Sequence, residues 1–260
     1  MDKKTLSRDG TSLAYEVRGQ GPAVVLVSGA MSTGATVAPL AGLLARRFTA
    51  VRYDRRGRGE SGDTAPYAVE REVEDLAALI DVVGGEAALY GVSSGGALVL
   101  EAAASGLPVS RVALYETPYA DFSDGGAEER AVYTRRLTEA LGQGRRGDAV
   151  ELFLRLTGLA EAMIQGARQS PMWTGMEAIA PTLAYDDAVM GDGLVPRERL
   201  ASVGVPVLAV AGAESPAWMR EAARAVADAV PQGAYRALEG QTHMVDPNVL
   251  APVLSEFFAP

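Results

Sequence analysis

The chain has 260 residues, a formal net charge of −9, no cysteine and one histidine. These counts exclude disulfides, thiol nucleophiles and histidine- or thiolate-rich metal sites, and the acidic balance argues against a general nucleic-acid binder, which needs basic surface to meet phosphates. The content of 48% apolar and 22% charged residues suits a packed globular core, with no run near the roughly 18–20 apolar residues of a membrane span.

The first residues, MDKKTLSRDG, are charged and lead into no apolar signal region, so a cytoplasmic protein is expected. Buried strands are predicted at 13–17, 23–28, 48–53, 87–92, 111–116, 205–211 and 234–238. Most are continuous in Val, Leu and Ala, the pattern of parallel strands covered on both faces. The basic run Arg52, Arg55, Arg56 and Arg58 begins at the end of the third of these and reads as a solvated turn after the strand. Between strands, 72–83 places Val73, Leu76, Ala77, Ile80 and Val83 on one helical face, stopped by Gly84 and Gly85. Ser215-Pro216 and Asp246-Pro247 both look like helix starts, the second with an N-cap aspartate followed by proline.

This alternation predicts an α/β fold, a doubly wound and mostly parallel sheet. One segment interrupts it. From 118 to 200 only helical patterns occur, such as 128–141 and 148–157. At about 80 residues the segment is too long for a crossover. It reads as a helical cap inserted into a core formed by 1–117 and 201–260.

The strand at 87–92 runs into Gly91-Val92-Ser93-Ser94-Gly95, then Gly96 and an Ala/Leu-rich helix. This is the G-x-S-x-G nucleophile elbow with strand before and helix after. The turn is sharp enough to strain the serine backbone, and small residues two positions either side allow close approach. Only Ser93 has glycine on both sides. A nucleophile here needs amides for the developing oxyanion. Ser94 N–H stands at a helix N-terminus, where the dipole favours negative charge, and Ala30 N–H lies in the glycine loop after 23–28. His243 follows the last predicted strand, where a general base reaches the nucleophile in this topology, and no other imidazole exists.

The acid has several candidates. Asp54 suits turn geometry and Asp246 a helix cap. The loop after 205–211 carries Glu214, with Ser215 where an aspartate would be expected. Glu116 ends a buried strand beside Thr117-Pro118, where a charge should be paired or functional.

The glycine loop after 24–27, Tyr53-Asp54-Arg55-Arg56-Gly57-Arg58-Gly59, the elbow at 91–95 and Gln241-Thr242-His243 together resemble the α/β-hydrolase superfamily over nearly the whole chain. More locally, Val92-Ser93-Ser94-Gly95, Glu116-Thr117-Pro118 and Pro171-Met172-Trp173 are similar to the zearalenone lactonases. That resemblance implies Glu116 as the third triad member and Trp173 as a pocket wall, with a buried anchor of the cap as the alternative for Trp173. The Arg-Arg-Gly-Arg run and most of the cap depart from it, so the triad layout carries over and the substrate does not.

The expectation is therefore a cofactor-free serine hydrolase of carboxylic esters or lactones, with Ser93 as nucleophile, His243 as base and Glu116 favoured over Glu214 as acid. Met31, Met172, Trp173 and Trp218 would give an apolar pocket for a small molecule. C–C hydrolysis, acyl transfer or cyclisation on the same residues, or a catalytically silent receptor, are the alternatives.

Overall fold

A computed structural model describes residues 1, 3–120 and 126–259. Its centre is an eight-stranded sheet in the order β1-β2-β4-β3-β5-β6-β7-β8. The strands are β1 (Lys3–Leu6), β2 (Ser12–Arg18), β3 (Ala23–Val27), β4 (Thr49–Tyr53), β5 (Ala87–Val92), β6 (Val109–Tyr115), β7 (Val207–Gly212) and β8 (Gly233–Leu238). β2 pairs antiparallel with β1 and β4, and the other pairings are parallel.

The unbroken apolar strands follow from burial on both faces. Val24 and Leu26 of β3 join one core with Leu40 and Leu44 of α1 (Ala38–Leu44) and Leu250 and Leu254 of α11 (Pro247–Phe257). Val25 and Val27 point the other way, into a core with Leu76 and Ile80 of α2 (Val69–Val82), Leu98 of α3 (Ser94–Ala104) and Val226 of α10 (Ala217–Ala229). β1 has no such pattern because it is an edge strand with mostly exposed side chains, and composition alone did not reveal it. Helix α11 begins as expected: the Asp246 side chain accepts the Asn248 N–H at 2.8 Å. Helix α10 does not. Pro216 precedes it without a side-chain cap, and Ser215 is buried.

Between β6 and β7 lie α4 (Gly126–Gly142), α5 (Arg146–Leu156), α6 (Glu161–Arg168), α7 (Trp173–Ile179), a 3₁₀ turn (Ala180–Thr182), α8 (Leu183–Met190) and α9 (Arg197–Leu200). This helical insertion has its own core, including Tyr133, Leu137, Val150, Trp173 and Leu183, against which Ala30 and Met31 also pack. The insertion thus meets the sheet at the loop after β3. Among the described residues, no helix is long and apolar enough to cross a membrane.

The chain leaves β3 toward β4 on one side and later returns to place β5 on the other. That reversal is a topological switch point at the carboxyl ends of β3 and β5, where open α/β sheets bind ligands. Glycines close the backbone there. A Cβ on Gly91 would lie 2.3 Å from the Gly95 carbonyl oxygen, and one on Gly95 would lie 2.6 Å from the Val27 carbonyl oxygen. Neither obstacle is a flexible side chain. Gly95→Ala is therefore expected to cost about 1–3 kcal/mol, the usual range for overpacking, read as a lower urea midpoint. An unchanged midpoint would contradict the close packing of α3 on the β3 loop.

Candidate active site

Val92 of β5 pairs with Tyr115 of β6, so Ser93 and Glu116 step off neighbouring strands at the same level. The Ser93 N–H donates to the Tyr115 carbonyl at 2.9 Å and the Glu116 N–H to the Val210 carbonyl at 3.0 Å. Both residues have positive φ, 55° and 47° respectively, and Met31, just beyond β3, has 51°. Among the described residues these are the non-glycine positions with positive φ. Each costs on the order of 1–3 kcal/mol, and such strain persists where surrounding structure enforces it, often at functional sites. Here all three follow the carboxyl ends of adjacent strands β3, β5 and β6.

His243 arrives from the far side of β7. Its loop crosses the end of that strand so closely that a Cβ on Gly212 would lie 2.2 Å from the Gln241 carbonyl oxygen. The Tyr115 hydroxyl donates to the Thr242 carbonyl at 2.5 Å, and the Glu214 N–H to the Gln241 carbonyl at 2.9 Å. So held, His243 Nδ1 lies 2.8 Å from Glu116 Oε2. With the carboxylate ionised, Nδ1 carries the proton and donates, leaving Nε2 as the basic nitrogen. Among the described residues the ring bonds to Glu116 alone, and its side chain is 38% exposed.

The Glu116 carboxylate is buried, and its Oε1 accepts the Gly212 N–H at 2.8 Å. Burial pushes its carboxyl up. The His243 ring, the nearby Ser215 hydroxyl and the Gly212 amide outweigh that and hold it below its ordinary value. Ser215 contributes from short of full hydrogen-bond geometry. Glu214 is exposed, and only its backbone serves the loop. Asp54 is a turn residue: its carboxylate accepts the Gly34 N–H at 2.8 Å and the Glu60 N–H at 2.9 Å. The structure therefore brings His243 together with Glu116 rather than with Glu214.

The loop after β3 touches the serine. A Cβ on Gly29 would lie 2.9 Å from Ser93 Cβ and 3.5 Å from its Oγ. The N–H groups of Ala30 and Ser94 find no protein acceptor among the described residues. Two unpaired amides, one on the loop against Ser93 and one on the residue after it, can receive an oxygen of a bound group. Met31 is half-buried beside them. Trp173 is 7% exposed within the insertion's own core, whereas Met172 is 73% and Trp218 45% exposed. Trp173→Ala should thus cost about 3–5 kcal/mol, as for other buried aromatic truncations. A melting temperature within a degree of wild type would contradict that anchoring.

The arginine run is not a solvated turn. Arg55, Arg56 and Arg58 are at most 1% exposed. Arg55 donates twice to Glu72 at 2.7 Å and once to Asp186 at 2.8 Å. Arg56 donates to Asp75 at 2.6 and 2.8 Å and to Asp9 at 2.9 Å. Arg58 Nη2 donates to Asp186 Oδ2 at 2.7 Å. Buried guanidinium groups are tolerated only when paired in this way. Burial raises the carboxyls of Glu72 and Asp186, but the arginines outweigh it and leave both below their ordinary values. For Asp75 burial prevails, and its carboxyl is raised. The signal was present in sequence: Glu72 and Asp75 lie on the apolar face of α2 with Val73, Leu76 and Ile80.

Relatives share this arrangement of chain. The sequence pattern described as the alpha/beta hydrolase family matches residues 24–252. The chain is similar to an alpha/beta hydrolase of Sphaerobacter thermophilus DSM 20745, with 51% identity, TM-score 0.89, and 99% of this chain and 100% of that one covered. It is also similar to the enol-lactonase of Burkholderia xenovorans LB400, with 25% identity, TM-score 0.68 and coverage of 98% and 99%. The thermophilic esterase of Thermogutta terrifontis shares the fold at 23% identity, TM-score 0.75 and coverage of 98% and 97%. With this sheet, a serine on a strained turn at its switch point, and a family pattern spanning most of its length, the chain belongs to the alpha/beta hydrolase family.

Proposed function

We propose that the protein is a serine hydrolase that cleaves carboxylic esters or lactones of a small apolar molecule through an acyl-enzyme. The carrying observation is the 2.8 Å bond from His243 Nδ1 to the buried Glu116 carboxylate, one strand away from the strained Ser93. Ser93 Oγ attacks the carbonyl carbon as His243 Nε2 takes its proton. Glu116 keeps the ring in the required tautomer and compensates the imidazolium. The N–H groups of Ala30 and Ser94 receive the oxyanion. His243 then protonates the departing alkoxide; water, deprotonated by the same nitrogen, attacks the acyl carbon, and the imidazolium returns that proton to Ser93 Oγ as the acid leaves. In apo enzymes the nucleophile–base contact is often open and tightens with substrate, consistent with the half-exposed ring. The helical insertion acts as a cap, with Met31 presenting apolar surface beside the oxyanion donors.

The enol-lactonase and esterase relatives support ester and lactone bonds as the first to test, though the family alone does not choose a substrate. The test is pre-steady-state hydrolysis of a panel of p-nitrophenyl esters and small lactones. Slow-deacylating p-nitrophenyl esters should release a burst of p-nitrophenol equal to the enzyme concentration. Turnover of carbon–carbon substrates such as β-diketones, with every ester and lactone inert, would replace this reading with C–C hydrolysis.

A further inference from the structure

The buried arginine network does more than neutralise itself, because it ends on the two segments that carry the unpaired amides. Arg58 Nη1 donates to the Gly29 carbonyl at 2.6 Å, and the Ser32 hydroxyl donates to the same oxygen at 2.6 Å. The Gly29 carbonyl and the Ala30 N–H belong to one planar trans peptide unit and point in opposite directions. Two donors fixing that carbonyl from one side therefore aim the Ala30 N–H to the other. A cationic donor on the oxygen also polarises the amide and makes its N–H a stronger donor.

The same guanidinium reaches the second amide through Asp186 of α8. Asp186 Oδ2 accepts from Arg58 Nη2 at 2.7 Å, while its Oδ1 accepts the Ser94 hydroxyl at 2.8 Å and Arg55 Nη1 at 2.8 Å. Arg55 Nη1 also donates to the Ser28 carbonyl at 3.3 Å. Ser94 is 3% and Asp186 5% exposed, so these bonds are shielded from water. One carboxylate, brought by the helical insertion, thus ties the elbow residue to the arginine that holds the β3 loop.

We propose that Arg58 and Asp186 are positioning residues that set the direction and spacing of the Ala30 and Ser94 amides, so that the oxyanion site is complete only with α8 seated on the core. Neither side chain touches substrate. The inference rests on the hydrolase reading above and adds to it a dependence of transition-state binding on an ion pair to the insertion.

The test compares Arg58→Met, Arg58→Lys, Asp186→Asn, Ser94→Ala and Ser32→Ala with wild type in the full chain. Three quantities are measured: kcat and KM on a p-nitrophenyl ester, inhibition by a trifluoromethyl ketone that forms an oxyanion on Ser93, and the melting temperature. Arg58→Met and Asp186→Asn should lower kcat on the order of 10²-fold, the lower end of the effect of losing one oxyanion donor. KM should change by less than about threefold, and ketone affinity should fall in parallel with kcat, as for an interaction made in the transition state. The double variant should be scarcely worse than either single one, because the pair acts as a unit. Arg58→Lys should recover part of kcat, since an ammonium can restore charge but not both bonds.

Should the charge-removing variants fail to fold, Ser94→Ala and Ser32→Ala decide, because they leave every charge in place. Each should lower kcat and ketone affinity together by severalfold with little change in melting temperature. Unchanged kcat and ketone affinity in folded variants would overturn the inference. So would a loss carried by KM alone. Labelling of wild-type Ser93 by a fluorophosphonate, measured in the same preparation, separates the two levels. Its absence overturns the hydrolase reading and this inference with it, whereas normal labelling with unaffected variants overturns only this inference.

Discussion

Ser93→Ala should lower kcat on activated esters on the order of 10⁶-fold, the loss seen when a serine nucleophile is removed from such a machine. Residual turnover would come from the amides of Ala30 and Ser94 and from substrate binding, which survive the change. The fold should hardly notice. Ser93 Oγ makes no hydrogen bond among the described residues, and alanine keeps the Cβ that packs against Gly29. The strain at φ 55° remains in either case. Activity assays must therefore be paired with a thermal melt. A melt near wild type with activity nearly gone marks a chemical role; activity above a small fraction of wild type would show that another group attacks.

Glu116→Gln should lower kcat on the order of 10⁴-fold, because the imidazole loses both its tautomer and its countercharge. Glu214→Gln should leave most activity, since that side chain is exposed and only its backbone N–H holds the His243 loop. The reverse ranking would transfer the role to Glu214, and large losses from both would mean that the ring is oriented from two sides. Stability provides a second readout. Glu116's carboxyl is held below its ordinary value, so its ionised form favours the folded state. That contribution is present above the unfolded carboxylate range and is lost as pH falls through the lowered value. The urea midpoint of Glu116→Gln should accordingly vary less with pH on the acid side than that of wild type.

The pairing of His243 with Glu116 was only partly legible in the sequence. A strand ending in a charged residue, next in chain order to the strand that carries Ser93, favours Glu116, although Glu214 occupies the more familiar loop for a triad acid. The register of β5 on β6 decides, placing Ser93 and Glu116 side by side, and register is a tertiary property. The parallel sheet, the elbow and the Asp246 cap were readable because each rests on local chemistry: continuous apolar runs, glycine spacing, and a side chain satisfying an orphan amide. Strand β1 was not, because an exposed edge leaves no apolar trace. The arginines misled for a related reason. A basic run beside glycines usually faces water, and here its burial depends on partners that folding brings to it: Glu72 and Asp75 of α2, and, for Arg55 and Arg58, Asp186, 128 residues beyond Arg58 in the chain. The Pro-x-Trp pattern falls as expected within the helical insertion, while the ring packs in the insertion's own core.

The most direct test of the account is mass spectrometry of the chain after reaction with a fluorophosphonate. The account predicts one adduct per chain, located on the peptide containing Ser93, retarded while a slow-deacylating ester occupies Ser93, and absent in Ser93→Ala. An adduct on a different serine, or an intact chain of unchanged mass under conditions that label other serine hydrolases, would contradict it.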